Sequence, residues 1–281
     1  MPVVQIPVVQ IPVVQMPVVQ MPVDWSPGYR EHAPPAALRP AVSCLWVQVI
    51  PPGGAPPTLV LPDGCADLIW QSGRGVFVAG PDTGPAPSSC PPGTVLAGLR
   101  LRPGAGGPAL GLPLSVLLDQ RVDAVDLRAD LPASPAAELA QGLPGSVTPD
   151  VAMSGLVRIA RCMLGAGPPD PLVVETARRL GSPRARVETV AEDLGVSERQ
   201  LRRRCHAAVG YGPATLRRVL RFRRFVSSID ATGTAGEPAD LARLAAETGY
   251  ADQAHLTRDC AQLAGLPPAR LARIRQHGSA G

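Results

Sequence analysis

The run Leu61-Pro-Asp-Gly-Cys-Ala-Asp-Leu-Ile-Trp70 gathers a thiol, two carboxylates and an indole around a Pro-Asp-Gly turn. A thiol becomes a catalytic nucleophile when a base takes its proton, yet no His lies between His32 and His206. No catalytic set is therefore expected, and an enzyme-type β-barrel is retained only as the lesser alternative. Two other readings stay open. In one, Asp63 and Gly64 make a turn, Cys65 is a small buried hydrophobe and Trp70 fills core. In the other, Trp46, Asp63, Cys65, Asp67 and Trp70 line an effector pocket together with Arg100 and Arg102, which share one face of a strand while Leu99 and Leu101 take the other. A thiol switch at Cys65 or Cys90 is a further alternative. The six cysteines contain no C-x-x-C pair and the four histidines lack metal-ligand spacing, so neither a metal nor a cofactor is expected.

A second kind of chemistry stands in the last third of the chain. All 27 basic residues are Arg, and from Ser182 onward 16 Arg face 10 acids, whereas the first 181 residues hold 11 Arg and 13 acids. That asymmetry suits a module that meets a polyanion joined to one that does not. Between Arg199 and Arg224 there are nine Arg and no acid.

The elements that carry these Arg occur twice. Val190-Ala-Glu-Asp-Leu-Gly-Val-Ser-Glu-Arg-Gln-Leu-Arg-Arg-Arg-Cys205 is repeated in Leu244-Ala-Ala-Glu-Thr-Gly-Tyr-Ala-Asp-Gln-Ala-His-Leu-Thr-Arg-Asp-Cys260. Gly195 and Gly249 are placed to end a short helix in the left-handed conformation, and Ser197 and Asp252 to cap the next one. Leu201/Leu256, Cys205/Cys260, Gly210/Gly265, Pro213/Pro268 and Leu216/Leu271 then align at an offset of 55. Leucine and cysteine at i and i+4 turn one face of each second helix inward. The other face exposes Arg199, Arg202 and Arg203 in the first unit and Gln253, His255, Thr257 and Arg258 in the second. Arg grips guanine and Gln pairs with adenine, so these seven are the expected base readers. Pro213–Val226 reads as a joining helix whose Arg217, Arg221 and Arg224, with Ser197, are expected on phosphates.

The front half reads differently. Val42–Ile50, Thr58–Leu61, Asp67–Gln71, Gly75–Ala79 and Thr94–Arg102 are β-prone runs separated by turn-forming stretches, a spacing that favours a sandwich or barrel. Leu112–Gln120 and Ala136–Leu180 carry helical patterns. Met1–Val23 repeats PVVQ every five residues, a period of neither helix nor strand, and its regular Pro argues against a membrane helix. The fold class expected is α+β. Its divisions are a low-complexity tail over 1–40, a β-rich domain over 41–127, a helical connector over 128–182 and an all-α domain with two helix-turn-helix units over 183–278. With no secretory signal in view, the cytoplasm is the expected location.

Residues Arg186 to Arg275 resemble the DNA-binding domain of AraC/XylS-type transcription regulators, most closely through Gly249-Tyr-Ala-Asp-Gln-Ala-His-Leu-Thr-Arg-Asp-Cys-Ala-Gln-Leu-Ala-Gly-Leu-Pro-Pro268. Leu256, Cys205 and Cys260 stand where that family usually has larger apolar residues. The segments 61–70 and 78–85 look like an uncharacterised sensor-type domain found on some members, and a cupin-like barrel is the family's usual front end. The resemblance implies a sequence-specific regulator of transcription that binds double-stranded DNA and answers to a small-molecule effector. RNA polymerase and a second copy of the chain stay open as partners, and no membrane is expected.

Overall fold

The computed structural model describes residues 27–127, 148–231 and 240–278. The Met1–Val23 repeat and the stretch 128–147 of the expected connector lie outside the described residues.

Alternating apolar residues in β2 (Val42–Val49), β4 (Ala66–Gln71), β5 (Gly75–Ala79) and β7 (Val95–Leu101) build the centre of an antiparallel sheet. β1 (Gly28–His32) and β8 (Arg121–Asp123) are its edges, giving the order β1-β2-β7-β4-β5-β8. The sheet is open. No closed barrel forms, because the two edges pair only inward; β3 (Thr58–Val60) and β6 (Ala86–Ser88) make a separate two-stranded ribbon. Residues 28–38, expected in the tail, instead contribute β1 and a short 3-10 turn, with Glu31 opposite Trp46 in the register.

Both faces of the sheet are covered. Leu45, Val47, Leu68, Trp70, Val78 and Leu99 pack with Met153, Leu156, Ile159 and Met163 into one core. The last four belong to a helix over Pro149–Ala166, which follows α1 (Gly106–Leu110) and α2 (Ala124–Leu127) and is therefore α3. Cys44, Trp46, Ile69, Phe77 and Leu96 make a smaller cluster on the opposite face. Gly98 is required there: a Cβ on it would lie 2.0 Å from the Trp46 ring. The helical pattern over Leu112–Gln120 resolves to one 3-10 turn, Leu114–Leu117, following Pro113.

The expected connector is divided between two cores. α3 closes the sheet, whereas α4 (Pro171–Leu180) contributes Val173 and Leu180 to the helical domain. Asp170 caps α4, accepting from Leu172 N and Val173 N at 3.0 and 3.2 Å. The same carboxylate takes two hydrogen bonds from Arg204 at 2.8 and 2.6 Å.

Beyond it come α5 (Val187–Asp193), α6 (Glu198–Val209), α7 (Pro213–Ala231), α8 (Leu241–Thr248), α9 (Gln253–Ala264) and α10 (Pro268–Gly278). α7 runs between the two halves and supplies Leu216, Val219, Phe222 and Phe225 to their shared core. Fully burying each such side chain is worth about 1.5–3 kcal/mol. The C-terminal half of α6 rests on α1, close enough that a Cβ on Gly107 would meet the Ala207 carbonyl oxygen at 2.1 Å.

Candidate nucleic-acid interface

The internal duplication is a structural one. α5–α6 and α8–α9 are each a short helix, a tight turn and a second helix, with Gly195 at φ 64° and Gly249 at φ 90° in the left-handed region that glycine enters at least cost. Ser197 opens α6 with a capping box: its Oγ accepts from Gln200 N at 3.3 Å, and Gln200 Oε1 accepts from Ser197 N at 3.0 Å. Asp252 opens α9 by accepting from His255 N at 2.6 Å. Leu201, Cys205, Leu256 and Cys260 are all fully buried, as their i, i+4 spacing required.

With those faces inward, Arg199, Arg202 and Arg203 stand exposed on the first two turns of α6, and Gln253 and Thr257 on those of α9. Thr257 Oγ1 donates to Gln253 O at 2.8 Å, as a helical threonine does, and leaves its methyl outward. Arg199, Arg202, Arg203 and Gln253 keep the polar tips that base edges require, and the Thr257 methyl suits apolar contact with a thymine methyl. Arg258 is exposed too, but it lines a groove between α7 and α9 with Arg218 and Gln262.

Four expected contacts are corrected by the geometry. Arg221 does not lie on an outer basic stripe; it is 6% exposed, because the helical face that carries it is covered by α9. Its guanidinium donates to Asp259 Oδ2 at 2.7 Å, meets His255 Nε2 at 2.9 Å and lies over the Tyr250 ring at 4.6 Å. Arg224 is half-buried and donates to the Thr248 and Gly181 carbonyl oxygens, tying α7 to the C-terminus of α8. Ser197 uses its hydroxyl hydrogen on Gln200 Oε1 at 3.0 Å, so the cap, rather than a phosphate, occupies it. His255 turns its ring inward, edge-on to Tyr250 at 5.2 Å, which removes its Nε2 from any base edge. Burial, then the positive charge of Arg221, pulls the His255 pKa down. Of the expected phosphate contacts, Arg217 keeps a half-exposed position on α7.

Asp259 is the residue that the sequence reading missed. It is buried and bridges Arg221 and Arg218, the latter donating to Oδ1 at 2.8 Å. The available signal was an acid standing among the cationic residues of the second unit.

The expected effector set is split by the pleat. Trp46, Asp67 and Arg100 do meet on one face of the sheet: Trp46 Nε1 donates to Asp67 Oδ2 at 3.0 Å and Arg100 Nε to Oδ1 at 3.2 Å. Asp63 joins them through an ion pair with Arg100 at 3.3 Å. Arg100 is thus answered by carboxylates already. Trp70 lies in the core on the opposite face, since it is an odd number of residues from Asp67 along β4. Arg102 leaves the sheet and donates to Arg39 O at 3.1 Å. Cys65 is buried at the end of the turn, where Asp63 Oδ1 accepts from its N–H at 2.9 Å. Burial pushes the thiols of Cys65 and Cys90 upward, opposite to the activation that a redox switch uses.

A family model described as a helix-turn-helix domain matches residues 190–274. The C-terminal domain is an AraC-type helix-turn-helix domain. The match, with the two capped helix-turn-helix units, supports a DNA-binding transcriptional regulator. A second model, described as a domain of unknown function (DUF6597), matches residues 30–123, the sheet that precedes the AraC-type domain. No curated protein matches the chain. Among solved structures it is similar to ToxT from Vibrio cholerae O395, with 9% identity, 80% of this chain and 95% of that chain covered, and a TM-score of 0.40. It is also similar to unsaturated fatty acid-bound wild-type ToxT from Vibrio cholerae strain SCE256, with 11% identity, 83% and 95% covered, and a TM-score of 0.41. Likeness at that level leaves the functional reading to the AraC-type match and to the geometry of the two units. Among the described residues no helix is long and apolar enough to cross a membrane.

Proposed function

We propose that the chain reads a specific operator by placing α6 and α9 in successive major grooves on one face of the duplex, where grooves recur about every 34 Å. The observation that carries this is the pair of capped helices whose exposed N-terminal turns present Arg199, Arg202 and Arg203 in one unit and Gln253 and Thr257 in the other. Arg199, Arg202 and Arg203 carry no hydrogen bond or ion pair among the described residues, so their fork of donors is free for guanine. Arg217 takes a backbone phosphate, and the β-rich domain is the part that answers to an effector in the cytoplasm.

The test begins with selection of bound fragments from genomic DNA. Arg202→Ala and Gln253→Ala are then compared on the selected site and on random duplex. Each is expected to cost about 1–3 kcal/mol on the selected site and less on random DNA. Equal losses on the two DNAs would remove that residue from base reading, and failure to enrich any sequence would overturn operator recognition.

A further inference from the structure

The groove between α7 and α9 has chemistry that base reading does not use. It is an open surface groove of about 620 Å³, lined by Arg218, Arg221, His255, Arg258, Asp259 and Gln262. Asp259 is the single carboxylate among three guanidiniums, and both of its oxygens are already engaged, Oδ1 by Arg218 and Oδ2 by Arg221. The lining therefore carries an excess of two positive charges with no carboxylate left to meet them. Arg218 stays 31% exposed at its side chain, and Arg258 is exposed. Gln262 spends its Oε1 on Arg218 Nη2, which leaves its amide N–H groups to donate.

A second observation comes from the floor of the groove. The Arg221 side chain is 7% exposed, and its Nε–H is buried without a hydrogen-bond partner above the Tyr250 ring. Buried donors of this kind are costly and are normally answered. An acceptor-rich anion seated against Arg218 and Arg258 adds the negative charge that this wall lacks. Beside the groove, α9 approaches the β-rich domain, where the Gln262 carbonyl oxygen lies 3.6 Å from the position of a Cβ on Gly84.

We propose that this groove is a phosphate site in which Arg218 and Arg258 grip the oxygens, the Gln262 amide donates alongside them and Arg221 holds the floor positive. The ligand is a phosphate group, from either of two sources: the DNA backbone, or a small free phosphorylated molecule bound beside the domain junction. The proposal stands on the groove's own charge and geometry, so it does not fall with operator recognition.

The test titrates the full chain with inorganic pyrophosphate, against sulfate at matched ionic strength, by calorimetry. Duplex binding is measured in parallel across a salt series. Saturable binding of one pyrophosphate per chain is expected, weakened at least tenfold by Arg218→Gln and by Arg258→Gln and unchanged by Arg243→Gln on α8. Arg258 is exposed, so its variant keeps the fold even where Arg218→Gln loosens Asp259; a thermal melt checks each. Pyrophosphate binding abolished by saturating duplex assigns the site to backbone phosphate, and binding that persists assigns it to a free ligand. A duplex salt slope reduced by about one in Arg258→Gln supports the backbone source even where pyrophosphate is weak. Absence of variant-sensitive pyrophosphate binding together with an unaltered salt slope overturns the proposal.

Discussion

The burial of Arg221 turns an expected DNA contact into a prediction about stability. In Asp259→Ala the guanidinium of Arg221 stays inside the domain with its carboxylate removed. His255 Nε2 at 2.9 Å and the Tyr250 ring at 4.6 Å remain as its partners. A cation over an aromatic face contributes about 0.5–2 kcal/mol, whereas removing one member of a buried ion pair costs about 3–5 kcal/mol. The expected loss is therefore about 3 kcal/mol or more, a large share of the roughly 5–15 kcal/mol that a domain has. Arg218 also loses a partner, but it is exposed enough for water to replace it. The double variant Arg221→Met/Asp259→Leu removes both charges and is expected to return most of the loss, because an apolar pair of similar volume is often as stable as the ions it replaces. Trp25, Trp46 and Trp70 all precede the helical domain. Urea unfolding is accordingly followed by far-UV ellipticity, which reports the C-terminal helices. A cost below about 1 kcal/mol in the single variant, or a double variant as damaged as the single one, refutes the buried-pair argument.

Other expectations follow from the same packing. Ser197→Ala removes the capping box of α6 and is expected to cost about 1 kcal/mol in urea unfolding, with no change in the salt slope of DNA binding. Gly98→Val forces a side chain into the Trp46 ring; a loss of about 1–3 kcal/mol or more is expected, with a changed tryptophan emission as its local readout. Gly107→Val pushes α6 away from α1, and the full chain is expected to melt in two separated transitions where the parent shows closer coupling. His255 supplies a pH dependence. Its pKa in the folded state lies below the ordinary value through burial and Arg221, against the pull of Asp259 and Asp252 and with Arg258 adding to the lowering. The stability tied to its neutral form is thus present above the unfolded pKa and is lost as pH falls through the folded one. The helical transition of the parent should fall more between pH 7 and 5.5 than that of His255→Gln, and parallel profiles would remove His255 as the cause.

How much of this was legible depended on whether a pattern is local. The five β-prone runs became β2, β3, β4, β5 and β7 with no boundary shifted by more than one residue, because alternation and turn residues act within a few positions of one another. β1, β6 and β8 were not seen: Gly28–His32 reads as polar, and the other two are three residues long, so their pairing partners define them more than their composition does. The two helix-turn-helix units were legible twice over, since capping residues, left-handed glycines and the 55-residue offset all agreed. What could not be read was which Arg on α7 faces α9. Arg217, Arg221 and Arg224 share a stripe at i, i+4 and i+7, and a stripe becomes solvent or interior only when another helix arrives.

That limit has a physical consequence for how basic residues should be weighed in such a domain. A buried Arg and a phosphate-gripping Arg are the same side chain with different partners, and the acid that decides between them is far away in sequence. Asp259 sits 38 residues from Arg221 and Asp170 sits 34 from Arg204. Asp259 turns Arg221, and in part Arg218, into ties between α7 and α9, and Asp170 turns Arg204 into a tie between α6 and the start of α4. The charge left over is then concentrated on the first two turns of α6 and along the α7/α9 groove, so neutralising Arg204 or Arg221 should alter the domain's fold, and neutralising Arg202 or Arg258 its hold on polyanions.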